Sequence, residues 1–150
     1  MLYYCGMVIQ KDQHKELQEV GRLHNLGFII LHGSYAQGTP RVGSDLDIAI
    51  VGKKHIPFDE LIEIHGELGA IFGDNREREL DLKTLQGVDP LFRYYVVRDG
   101  MLLYGDPTDF NEFKAYARRS FEDAERIFRL EGIILKKQNK LILENLAQHA

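Results

Sequence analysis

Apolar residues recur along this chain at two spacings. From Lys11 to Leu26, the residues Leu17, Val20, Leu23 and Leu26 recur every third position with charged residues between them, which predicts an amphipathic helix closed by Gly27. Phe58 to Phe72 repeats the form through Leu61, Ile64, Leu68 and Ile71, entered at Pro57 and left at Gly73. Two shorter runs, Phe28 to Leu31 and Leu46 to Val51, are apolar and β-branched and lie near glycines, so they predict short buried strands. The second helix links the Leu46 to Val51 strand to a strand at Asp81. This strand, helix, strand order suits an α/β (α+β) domain: a small mixed β-sheet flanked by helices that lie on one side.

From Thr108 the pattern changes. Phe110, Phe113, Ala117, Phe121, Ala124 and Phe128 follow at intervals of three and four, a strongly aromatic helical stripe. A second apolar series runs through Leu130, Ile133, Ile134, Leu141, Ile142 and Leu146, with Lys136, Lys137 and Lys140 on its polar side, and Gly132 predicts a break between two tail helices. Two readings of this surface stay open: both helices cover the sheet, or part of the surface meets a second protein. The 150 residues are read as a single domain, with a core of about 11–105 and a helical tail of about 108–150.

The candidate chemistry lies at the strand ends. Gly33-Ser34 follows the first apolar strand, and ten residues later Asp45-Leu46-Asp47 opens the next. Strand side chains alternate faces, so Asp45 and Asp47 point the same way, about 7 Å apart along the strand, and can share a hard cation. Like charges on one face oppose each other, and aspartate is a poor strand former, so packing alone does not account for the pair. Taken in isolation, Asp45 would belong to the turn Gly43-Ser44-Asp45, and Asp47 would be a solvated edge residue. The upstream Gly-Ser favours the other reading: Gly33 permits close backbone approach, while Ser34 offers a hydroxyl where a helix could begin and its amides could meet phosphate.

Gly33-Ser34, ten residues, then Asp45-Leu46-Asp47 resembles the signature of the DNA polymerase β-like nucleotidyltransferase superfamily. With Ala36, Gly38, Ser44 and the following Asp47-Ile48-Ala49-Ile50, the string is similar to the minimal nucleotidyltransferases, or MNT domains, and the order after Asp81 resembles MNT antitoxins that partner HEPN-domain toxins. The resemblance implies a polymerase β-like core with C-terminal helices. It also implies ATP as substrate; Asp45, Asp47 and Asp81 fit a site for Mg²⁺, two ions, and Gly33, Ser34 and Arg41 are the candidate nucleotide contacts. Asp81 would help take the proton from the acceptor hydroxyl, which would be a tyrosine of a HEPN-family RNase toxin silenced by AMPylation. Gln37 departs from the arginine that many relatives carry there. Two alternatives accompany this reading: transfer to a small molecule such as an aminoglycoside, whose enzymes generally use a larger substrate-binding portion, and a non-catalytic antitoxin acting by occlusion.

Other residues weigh less. Glu79 stands two before Asp81 on the same strand face and is a second candidate ligand, though the motif favours Asp81. Arg41 is within reach of a phosphate, although a lone loop arginine is more often solvated, and Arg76 and Arg78 alternate with Glu77 and Glu79 as surface charge would. His32 either lines the pocket or is structural; the other histidines show no metal-ligand spacing. No nucleophile elbow or Walker loop is present. A net charge of −4 argues against a protein that coats nucleic acid. A single cysteine, Cys5, forms no intrachain disulfide, and the uncharged opening Met1 to Ile9 is too short to span a bilayer, so a cytoplasmic setting is expected.

Overall fold

The apolar runs form the inner strands of a four-stranded sheet. In chain order, the computed structural model has β1 (Leu2–Tyr4), β2 (Met7–Ile9), α1 (Lys11–Leu23), β3 (Leu26–His32), α2 (Gly33–Ala36), β4 (Leu46–Gly52), α3 (Phe58–Phe72), β5 (Leu80–Thr84), α4 (Pro90–Asp99), β6 (Met101–Tyr104) and α5 (Pro107–Gln148). It describes residues 2–4 and 7–148, with side chains from 9 to 144; Cys5, His149 and the side chain of Leu146 lie outside these. The sheet order is β5-β4-β3-β6, and β1 pairs antiparallel with β2 in a separate two-stranded sheet. β3 is antiparallel to β4 and β6, whereas β4 and β5 are parallel. A parallel pair needs a long crossover, and α3 supplies it.

Both faces of the sheet are covered, which corrects the one-sided expectation. Ile29, Leu31, Ile48 and Ile50 pack with Leu17, Ile64 and Leu68 of α1 and α3. Phe28, Ile30 and Ala49 on the opposite face pack with Val96 and Val97 of α4 and with Phe110 and Ala117 of α5. The run Phe28-Ile29-Ile30-Leu31 is apolar at every position, so each face needs cover. Phe28 meets Phe110 and Phe113 with ring centroids 5.4 Å apart in both pairs.

Three elements differ from expectation. α1 ends at Leu23 rather than Leu26, because Asn25 turns the chain with φ 48° and Leu26 is drawn into the sheet opposite Gly52. α4 has no clean apolar stripe; Pro90 starts it, and Asp89 Oδ1 accepts the amides of Leu91 and Phe92. The tail is one continuous 42-residue helix, since Gly132 in a helix interior costs only about 1 kcal/mol. Only its first half covers the sheet: Phe110 and Ala117 are buried and Phe121 stacks on Tyr94 at 5.0 Å, whereas Phe128 is 61% exposed. Among the described residues, no helix is long and apolar enough to cross a membrane.

Candidate active site

Register gathers the candidate residues. The apolar positions Leu46 and Ile48 are buried toward α1 and α3, which fixes Asp47 on the opposite face. His32 is the cross-strand partner of Asp47, and Asp47 is the partner of Asp81. His32, Asp47 and Asp81 therefore form a row across three strands, on the face toward α4. Because β3 runs against β4 and β5, this row lies where β3 ends and the other two begin.

The chain leaves β3 through Gly33, whose φ is +67°. A Cβ there would overlap Asp47 Oδ2 and come within 2.9 Å of Asp47 Cγ, so glycine lets this carboxylate rest against the turn. Ser34 opens the short α2, and its carbonyl accepts the Thr39 amide at 3.0 Å. Arg41 stands exposed in the following loop, where its amide donates to Ser44 Oγ at 2.8 Å. Asp45 is exposed immediately before β4, close enough for its charge to act on Asp47. Glu79 is exposed ahead of β5 and lends its carbonyl to the Leu46 amide. Arg78 donates to the Phe72 carbonyl at the end of α3.

The electrostatics are those of crowded negative charge. Burial raises the Asp47 pKa above the ordinary carboxylate range; the charges of Asp81 and Asp45 push the same way, and Lys83 opposes them. Lys83 Nζ sits 2.6 Å from Asp81 Oδ2, and that hydrogen bond raises the lysine pKa. The His32 imidazole is held neutral, with its pKa lowered to about 4 by burial and then by Lys83, against a smaller opposite pull from Asp81. Its Nε2 is buried without a hydrogen-bond partner. Phe92 of α4 closes this side, edge-on to His32 at 6.1 Å and 5.7 Å from Lys83 Nζ.

Asp47 and Asp81 are thus brought together, with Asp45 at the mouth and Gly33 and Ser34 alongside; Arg41 is exposed in the loop between α2 and β4. Among the described residues, no three histidine, cysteine or acidic side chains close into a metal cage. Lys83 and Phe92 escaped the sequence reading. Period-two alternation from Asp81 was the available signal for Lys83, since position 83 must share its face.

Residues 15–109 match the family described as polymerase beta, nucleotidyltransferase. The chain is 30% identical over 137 residues to the protein adenylyltransferase MntA of Aphanizomenon flos-aquae, covering 87% of this chain and 84% of that protein. Its fold superposes on a chain from a toxin-antitoxin crystal structure with AMP-PNP, with TM-score 0.63 and 24% identity over 81% of this chain and 98% of the other. It superposes similarly on a chain from the complex of tri-AMPylated Shewanella oneidensis HEPN toxin with MNT antitoxin, with TM-score 0.59 and 20% identity over 83% and 98% of the two chains. The chain belongs to the polymerase β-type nucleotidyltransferase family and stands with its minimal, MntA-like members.

Proposed function

We propose that this nucleotidyltransferase moves AMP from ATP to a tyrosine hydroxyl of a HEPN-family RNase toxin and so silences it. The observation that carries the reading is the in-register pair Asp47 and Asp81 with Gly33 seated against Asp47, which places two carboxylates beside a turn open to a phosphate chain. The acceptor follows from the 30% identity to a protein adenylyltransferase, which favours a protein over an aminoglycoside.

The donor set suits magnesium. Asp45, Asp47 and Asp81 offer only hard oxygens, burial and then the charges of the other two raise the Asp47 pKa, and a cation, the Lys83 ammonium, already rests on Asp81. These three carboxylates would hold Mg²⁺, two ions in the full reading, and metal bound there supplies charge neutralisation to the triphosphate. The Gly33-Ser34 turn receives phosphate oxygens, with Arg41 of the following loop as a further phosphate contact. The tyrosine oxygen bonds to the α-phosphorus while the bond to the bridging oxygen breaks, its electron pair leaving with pyrophosphate. The phenolic proton passes to Asp81 and on to water.

Intact-mass spectrometry of a cognate HEPN toxin incubated with the chain, ATP and Mg²⁺ tests this. One AMP mass should be added at each modified tyrosine, and Asp45→Asn with Asp47→Asn should slow addition by orders of magnitude while the two proteins still bind each other. Full protection of cells by that double variant would replace transfer with occlusion.

A further inference from the structure

The second half of α5 presents an apolar face that nothing in the described structure covers. Three consecutive pairs, Ile127-Phe128, Ile134-Leu135 and Leu141-Ile142, recur seven residues apart, so they fall in one stripe along the helix, with Glu131 and Gln138 between the pairs on the same face. Each of these side chains is between 53% and 61% exposed. The stripe continues the line of Phe110, Ala117 and Phe121 that packs on the domain, and its six side chains expose on the order of 600 Å², near the roughly 800 Å² that one partner contributes to a standard stable interface.

Charge along the same stretch selects the occupant. Residues 122–131 contain Glu122, Asp123, Glu125 and Glu131 against two arginines, whereas residues 132–144 contain Lys136, Lys137 and Lys140 against one glutamate. The helix is thus acidic in one half and basic in the other. A second α5 running antiparallel sets unlike halves against each other, and a parallel one sets like against like. An antiparallel pair centred on Ile134 places Ile127 opposite Leu141 and Glu131 opposite Lys137, each twice by symmetry. It also leaves about 30 Å between the two points where the helices leave their domains, at 1.5 Å per residue, so the transfer sites stay open.

We infer that this face is a self-association surface: two copies of the chain pair through residues 125–144 of α5 as antiparallel helices, separately from any toxin-binding surface.

Analytical ultracentrifugation of the full chain tests it, with circular dichroism to establish that each variant keeps its helix content. The wild type should sediment as a dimer at about 50 µM, a concentration that populates micromolar complexes. Ile134→Glu, which sets two carboxylates against each other at the centre, should give a monomer. Glu131→Lys should raise the dimer dissociation constant about tenfold, and adding Lys137→Glu should restore it, because only antiparallel self-pairing makes the two positions reciprocal. A monomeric wild type, a dimer indifferent to Ile134→Glu, or a charge swap without rescue would each overturn the inference. So would a monomer whose α5 gains hydrogen-exchange protection only when toxin is added, since that would give the face to the toxin.

Discussion

Gly33→Ala is the sharpest perturbation of this site, because its cost divides into two parts that can be measured separately. At φ +67° an alanine occupies the left-handed region, at about 1–2 kcal/mol. In a domain of this size that alone lowers Tm by about 2–8 °C. The added Cβ also overlaps the Asp47 carboxylate, with Cγ at 2.9 Å, so the carboxylate must move by about 1 Å, a displacement that can cost about 10²-fold in turnover. Asp47→Ala removes the overlapping atoms and leaves Asp47 Cβ at 3.3 Å from the new methyl, a contact that small shifts relieve. Thermal denaturation of both single variants and the double variant should therefore show Gly33→Ala costing less in the Asp47→Ala background, with the backbone part alone surviving. Equal costs in both backgrounds, or wild-type AMP transfer by Gly33→Ala, would refute the role given to this turn.

Three further outcomes are expected. In metal-free buffer, stability should fall as pH drops from about 6.5 toward 4, because His32 binds its proton less readily folded, with a pKa of about 4, than unfolded; the loss approaches about 3 kcal/mol, and His32→Gln should flatten the denaturation midpoint across that window. Lys83→Met should lower metal-free stability by no more than about 1 kcal/mol, the pair being part exposed, and should tighten Mg²⁺ binding in calorimetry, whereas weakened binding would mean that Lys83 holds Asp81 in its binding position. Gly132→Ala should raise helicity by circular dichroism and stabilise α5 by about 1 kcal/mol, since a Cβ there meets nothing within 4 Å; an unchanged spectrum would mean that the distal helix was already frayed.

Much of this was legible because local and tertiary demands agree. The helix from Phe58 to Phe72 is observed with the bounds its apolar spacing and flanking Pro57 and Gly73 predict. Asp47 and Asp81 could be paired from the sequence because burial of Leu46, Ile48 and Leu80 leaves their faces no choice. Misreadings arose where two signals competed. Leu26 satisfies the helical period of α1 but is fully buried as the first residue of β3, and strand pairing prevails. Gly132 signals a stop, yet the strongly helical residues around it carry the helix through. α4 escaped notice because its aromatic residues serve several neighbours: Phe92 faces His32, while Tyr94 stacks on Phe121.

The ten-residue spacing between Gly33-Ser34 and Asp45 has a topological cause. A chain that leaves β3 at His32 and re-enters an antiparallel neighbour at Leu46 must begin the second strand at the end where it finished the first. Turn and carboxylates therefore meet without any long-range coincidence, and most of the residues from Gln37 to Gly43 only have to span the gap. Asp81 needs more, because β5 runs parallel to β4 and is reached only through the whole of α3. Its alignment with Asp47 is set by apolar packing on the far side of the sheet, where Leu46 and Leu80 face each other in register. The alignment of these two carboxylates thus rests on leucines on the far face, and a one-residue slip of β5 would turn Asp81 away and put Leu82 or Leu80 in its place.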